Sequence, residues 1–101
     1  MKKYKIKYSE LFYEDLGLIV QHILDKTKSV KIARQFYENV LACVDERTFG
    51  ADSYETFQPY EDAPDYYRIY FGNYTVFYII ADDTMDVRRM LWSGMNMPQR
   101  L

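Results

Sequence analysis

Residues 66–81 read Tyr66-Tyr67-Arg68-Ile69-Tyr70-Phe71-Gly72-Asn73-Tyr74-Thr75-Val76-Phe77-Tyr78-Ile79-Ile80-Ala81. The stretch is aromatic and β-branched almost throughout, and its one break is Gly72-Asn73. This pattern predicts two strands joined by a two-residue turn, with glycine supplying the positive φ and asparagine tolerating a left-handed conformation. The flanking residues of such a hairpin lie opposite one another, so Phe71 should face Tyr74, Ile69 should face Val76 and Tyr67 should face Tyr78. Side chains alternate along a strand. One face therefore carries Tyr67, Ile69, Phe71, Tyr74, Val76, Tyr78 and Ile80. The other carries Tyr66, Arg68, Tyr70, Thr75, Phe77, Ile79 and Ala81. Both faces are apolar enough to be covered, and Arg68 is the only charge in the hairpin.

Downstream, Asp82-Asp83-Thr84 marks a turn and Met85 to Trp92 a last strand. Unbroken alternation would put Met85, Val87, Arg89 and Leu91 on one face and Asp86, Arg88, Met90 and Trp92 on the other. The tail Ser93–Leu101 is expected to tuck its two methionines and Leu101 against the body. Upstream, residues 51–65 form a long connection containing Pro59 and Pro64, and its Tyr54, Phe57 and Tyr60 predict that it folds back. Its acids read as a solvated face. From Asp45 to Asp65 there are seven acids (Asp45, Glu46, Asp52, Glu55, Glu61, Asp62, Asp65) against one base, Arg47.

Two helices precede that connection. Ser9 caps the first, whose apolar stripe is Phe12, Leu16, Ile19, Val20, Ile23 and Leu24. Ser29 caps the second, with Ala33, Phe36, Tyr37, Val40, Leu41 and Val44. The short Lys26-Thr27-Lys28 link makes the pair an antiparallel hairpin. The second helix is expected to end near Thr48-Phe49-Gly50, with Gly50 as a left-handed C-cap. His22 lies off the stripe, and Cys43 lies beside its own stripe as a small packed side chain rather than a nucleophile. Residues 3–8 alternate lysine with Tyr4, Ile6 and Tyr8, which predicts a half-buried first strand. Its lysine row guards the edge against aggregation, and any nucleic-acid contact would fall to Lys3, Lys5, Lys7 and Arg88.

The order is β-α-α-β-β-β, an α+β fold with a small, largely antiparallel sheet and a helical hairpin on one face. The helices should take the uncharged Ile69/Val76/Tyr78 face. Arg68, Tyr70, Phe77, Ile79 and Trp92 are then left on an open face, the composition of a partner site.

A chain of 101 residues suits one domain, 1–101, with a single core. Its one cysteine allows no internal disulfide, and the sequence suggests no metal or cofactor. No apolar run reaches the length of a membrane span and no signal-peptide pattern follows Met1, so a cytoplasmic protein is expected. A net charge of −2 speaks against nucleic acid as the main partner. Yet with the acidic segment set aside, the remaining chain has more bases than acids.

The element order, with Tyr67-Arg68-Ile69, then Asn73 to Tyr78, then Val87 to Ser93, resembles the RelE/ParE toxins of bacterial type II toxin–antitoxin systems over essentially the whole chain. The resemblance implies a growth-inhibiting toxin neutralised by a cognate antitoxin protein. It also implies one of two targets: ribosome-bound mRNA, cleaved by RelE-like members, or DNA gyrase, blocked by ParE-like members without chemistry. A third possibility is a decayed toxin that only binds its antitoxin. Under the nuclease reading Arg68 takes the phosphate-stabilising role and Glu55 is a candidate base. Trp92 occupies the position where such enzymes often carry histidine or tyrosine. Indole donates a hydrogen bond but shuttles no proton.

Overall fold

The computed structural model of the protein describes residues 1–95 and 101. Its elements are β1 (Lys5–Tyr8), α1 (Glu10–Thr27), α2 (Val30–Arg47), a 3-10 turn (Ala51–Ser53), β2 (Thr56–Phe57), β3 (Tyr66–Phe71), β4 (Tyr74–Ala81) and β5 (Thr84–Trp92). Both serine caps form: Ser9 Oγ accepts from the Phe12 N–H at 3.0 Å, and Ser29 Oγ accepts from the Ile32 N–H at 3.2 Å. Ser9 also fastens α1 to the sheet, because its hydroxyl donates to the Arg88 carbonyl at 2.6 Å.

The helix ends depart from expectation. The left-handed cap belongs to Lys28 (φ 56°), whose N–H closes on the Leu24 carbonyl at 2.8 Å. Helix α2 instead stops at Thr48 in a right-handed conformation, its N–H and hydroxyl both donating to the Asp45 carbonyl. Gly50 does adopt a positive φ of 66°, but there it starts the 3-10 turn. In the hairpin turn only Gly72, at φ 57°, is left-handed; Asn73 is not.

The five strands lie in the order β1-β5-β4-β3-β2, with β1 parallel to β5 and the other neighbours antiparallel. The hairpin register is the one expected, with Phe71 opposite Tyr74, Ile69 opposite Val76 and Tyr67 opposite Tyr78. Ile69, Val76 and Tyr78 are buried with Phe12, Leu16, Val40 and Val44 of the helices, so the uncharged face is the covered one. Burying this face removes large apolar side chains from water, which is the main force holding the helical hairpin to the sheet.

Alternation fails in β5. Tyr78 pairs with Val87 and Phe77 with Arg89, which leaves Arg88 as an extra residue, a β-bulge. The parity of every later residue is inverted. Met90 turns to the helices and is buried there, while Leu91 joins the opposite face. Asp15 of α1 braces the break: it takes Arg89 in a two-pronged ion pair (2.7 and 3.0 Å) and also accepts the Met90 N–H at 3.0 Å.

The face expected to be open is covered over most of its length, and Tyr70 alone of its large aromatics stays exposed. Tyr66, Phe77 and Leu91 form a second buried cluster, covered by Phe57, Ile79, Met95 and Leu101. Residues 51–65 fold back as their aromatics suggested, with Phe57 in the short strand β2. The tail supplies Met95 and Leu101, while Met97 lies outside the described residues. Phe77 is 1% exposed, which corrects its assignment to an exposed partner surface. The two-residue strand β2 with Met95 and Leu101 of the tail is enough to cover a patch of this size.

Among the described residues no helix is long and apolar enough to cross a membrane, and no group of three or more His, Cys, Asp or Glu is placed to hold a metal ion.

Packing so many tyrosines has a titration consequence. Burial pushes the Tyr8 hydroxyl up to about 12 and raises those of Tyr66, Tyr67 and Tyr78 as well. A hydroxyl that holds its proton more tightly when folded favours the folded state until pH exceeds the unfolded value of 10.0, and that favour is lost as pH climbs towards 12. The urea midpoint is therefore expected to stay level up to the tyrosine range and then fall steeply. A midpoint unchanged well above the unfolded value would contradict the burial of these rings.

Candidate functional site

Arg68 stands in the middle of β3 opposite Phe77, on the side of the sheet away from the helices. Its guanidinium lies 3.7 Å above the centre of the Phe57 ring, so folding the 51–65 segment back is what sets its position. No carboxylate among the described residues lies within ion-pair distance of it.

A second arginine joins it. Arg47 leaves the last turn of α2 and reaches the outer edge of β3. There its Nη1 donates to the Arg68 carbonyl at 3.0 Å and to the Tyr78 hydroxyl at 3.1 Å. Its guanidinium stacks 3.6 Å over the Tyr54 ring. The Tyr78 hydroxyl in turn donates to the Ala51 carbonyl at 2.7 Å. Burial raises the pKa of that hydroxyl, and the hydrogen bond from Arg47 pulls it partly back. Arg47 thus ties α2, β3, β4 and the folded-back connection together at one point. The edge is open to it because β2 pairs only with Tyr66 and Tyr67, leaving β3 uncovered from Arg68 onward.

Arg47, Tyr54, Glu55, Arg68 and Tyr70 line a cleft of about 220 Å³ at this edge. Three of the sequence-derived candidates, Arg68, Glu55 and Tyr70, are brought together here. Arg47 and Tyr54 were missed, although one signal was present: Arg47 is the single base within a run of acids. Two guanidiniums held face-down on aromatic rings keep their in-plane N–H groups oriented for an anion, and the ordering entropy is already spent in folding. Glu55 is exposed and, among the described residues, is the only carboxylate lining the cleft.

The other candidates lie elsewhere. Trp92 pairs with Tyr74, and partners directly opposite in a ladder share a face. Tyr74 packs on the helix-side core, so the bulge has carried Trp92 to the face opposite Arg68, where it is 56% exposed and folded over Gly94. Its assignment to Arg68's face is corrected. Ile79 packs on the second cluster. Lys5 and Lys7 pair with Thr84 and Asp86, and so lie on the same face as Arg68 but at the far side of the sheet, where Lys5 is engaged by Asp83 at 3.3 Å. Lys3 precedes the strand and sits over Phe49, and Arg88 lies 3.8 Å from Asp86. His22 is exposed on α1, and burial raises the Cys43 thiol.

A family profile described as the ParE toxin of the type II toxin–antitoxin system parDE matches residues 6–96. The chain belongs to the ParE toxin family. Solved structures agree on the fold. The chromosomal ParDE system of P. aeruginosa superposes with a TM-score of 0.69 at 12% identity, covering 89% of this chain and 96% of that one. YafQ from E. coli strain BL21(DE3) superposes with a TM-score of 0.52 at 14% identity, covering 91% and 96%. No curated protein matches the sequence significantly. Within this ParE-family fold the Arg47/Arg68 cleft and Trp92 are separate places.

Proposed function

We propose that this ParE-family toxin arrests growth by binding, with DNA gyrase as its target, and performs no bond cleavage itself. The observation that carries this reading is the β5 bulge. It sends position 92 to the face opposite Arg68, so neither the indole there, which shuttles no proton, nor the position itself serves the arginine. General acid–base catalysis needs a proton-transferring group within hydrogen-bond reach of the reacting atom. The match to a ParE profile supports the same side of the superfamily. The toxin acts in the cytoplasm, and its neutralising partner is a cognate antitoxin, as the ParDE system with the similar fold suggests.

The test is inducible expression without antitoxin, with DNA and protein synthesis followed separately over the first minutes, and supercoiling by purified gyrase measured alongside. DNA synthesis should fall first and supercoiling should be inhibited. An early loss of translation with intact DNA synthesis would overturn the gyrase target. No growth effect at good soluble expression would leave a decayed toxin that retains only antitoxin binding.

One observation favours ribosome-dependent mRNA cleavage as a second reading: Glu55 shares a cleft with two arginines able to hold a phosphate. On that reading Arg68→Ala lowers cleavage of ribosome-bound mRNA by about a hundredfold or more, and Arg68→Lys recovers only part of it, since an ammonium lacks the planar fork. Undiminished cleavage by the alanine variant removes Arg68 from any chemical role.

A further inference from the structure

We propose that the Arg47/Arg68 cleft is a seat for an acidic side chain of the antitoxin, with Arg47 as its deeper contact and Tyr54 and Tyr70 as its rim. The inference rests on the reading that an antitoxin is the partner; it adds where that partner is held and by which charge.

The argument begins with unspent donors. Arg47 commits Nη1 to the Arg68 carbonyl and the Tyr78 hydroxyl, while its Nη2 and Nε have no acceptor among the described residues. Arg68 makes no side-chain hydrogen bond or ion pair among them, only its stack on Phe57. Two half-buried guanidiniums bordering one cleft of about 220 Å³ repel each other unless an anion sits between them. Both are fixed by stacking on the 54–57 segment, so little freedom remains to be lost when one arrives.

The surroundings choose which anion. Glu55 forms part of the wall, Glu46 borders the adjoining depression with Tyr54 and Tyr70, and both belong to the acidic run from Asp45 to Asp65. A nucleic-acid strand brings a row of phosphates past those carboxylates and is repelled along its length, whereas a single carboxylate in the cleft meets two guanidiniums against the one carboxylate of Glu55. The rim is aromatic and accessible, with Tyr54 48% and Tyr70 70% exposed. Tyrosine and arginine are among the residues most enriched in protein–protein hot spots, where the partner completes their desolvation. A protein ligand with an acidic residue flanked by apolar ones fits this cleft better than RNA does.

The proposal is tested by titrating the purified cognate antitoxin into the full chain and into Arg47→Gln, Arg68→Ala and Asp62→Ala, each first checked for an unchanged thermal transition. Glutamine can still donate to the Arg68 carbonyl or the Tyr78 hydroxyl, so Arg47→Gln removes the charge while retaining part of the brace. Arg47→Gln and Arg68→Ala should each weaken binding by about thirtyfold or more, and the loss should shrink at high salt; Asp62→Ala should bind as the parent does. Equal affinity across the three variants overturns the inference while leaving the antitoxin reading intact. No binding by the parent chain overturns the partner reading itself, and this inference with it. A short single-stranded RNA run in parallel covers the other class: if the arginine variants lose RNA binding and keep antitoxin binding, the cleft is a nucleic-acid site and the inference fails.

Discussion

Replacing Val76 by aspartate is expected to abolish cooperative unfolding, leaving a chain that gives no folded baseline in urea. Val76 is 1% exposed at the centre of β4, between Ile69 and Met90 on the neighbouring strands and beneath the helical hairpin. A carboxylate there loses its hydration and finds an apolar lining. It must either stay charged at a large desolvation cost or take up a proton well above its normal range. Either way the change costs about 4 kcal/mol or more, a large part of the roughly 5–15 kcal/mol that holds a domain of this size together. The sign of the pH dependence follows from the raised folded-state pKa. The variant should be least stable at neutral pH and should regain part of its stability as pH falls towards the carboxyl range, whereas Val76→Asn should show no such recovery. A Val76→Asp urea midpoint close to the parent's would place this residue outside the core and undo the assignment of the two sheet faces.

Phe77→Ala is expected to destabilise the chain by about 3–5 kcal/mol, the range for removing a buried aromatic ring. The ring sits edge-on to Phe57 at 5.9 Å between centroids and shares its cluster with Tyr66 and Leu91. Its loss opens a cavity under β2, the strand that carries the ring on which Arg68 rests. The variant should therefore show a lower melting temperature and also weaker antitoxin binding, as the cleft loses its order. Phe77→Leu should restore most of the melting temperature, because it refills most of the volume. A melting temperature unchanged by Phe77→Ala, with antitoxin affinity reduced, would return Phe77 to the exposed interface that the sequence pattern suggested.

Much of the architecture is legible in the sequence because its signals are local. Ser9 and Ser29 cap helices wherever a hydroxyl stands before an apolar stripe, since the unpaired N–H groups of a first turn are always present. The Gly72-Asn73 break sets a hairpin register that runs unchanged through five residue pairs. The charge of Arg68 told the two sheet faces apart, and the helices do cover the uncharged one.

The candidate site was half legible for the opposite reason. Arg68, Glu55 and Tyr70 could be singled out one at a time, but their meeting depends on the 51–65 segment folding back. Arg47 stood out only as the single base in a run of acids, and nothing local tied it to the site, because 21 positions separate it from the Arg68 carbonyl it bonds. Only the packing of α2 against the edge of β3 brings them together. Trp92 was misplaced by a single extra residue. Alternation has a period of two, so one bulge at Arg88 exchanges the faces of everything after it. Nothing in Val87-Arg88-Arg89-Met90 announces that bulge; the brace from Asp15 to Arg89 and Met90, across more than 70 positions, accompanies it. Phe77 was read as exposed because a sheet face looks bare until the loop and tail that cover it are in place. The sequence by itself determined the two helices, four of the five strands, their order along the chain and the covered face, since capping, turn formation and periodicity act between near neighbours. The tertiary structure decided which side chains share a cleft and which lie on opposite faces, since those depend on contacts between segments far apart in the chain.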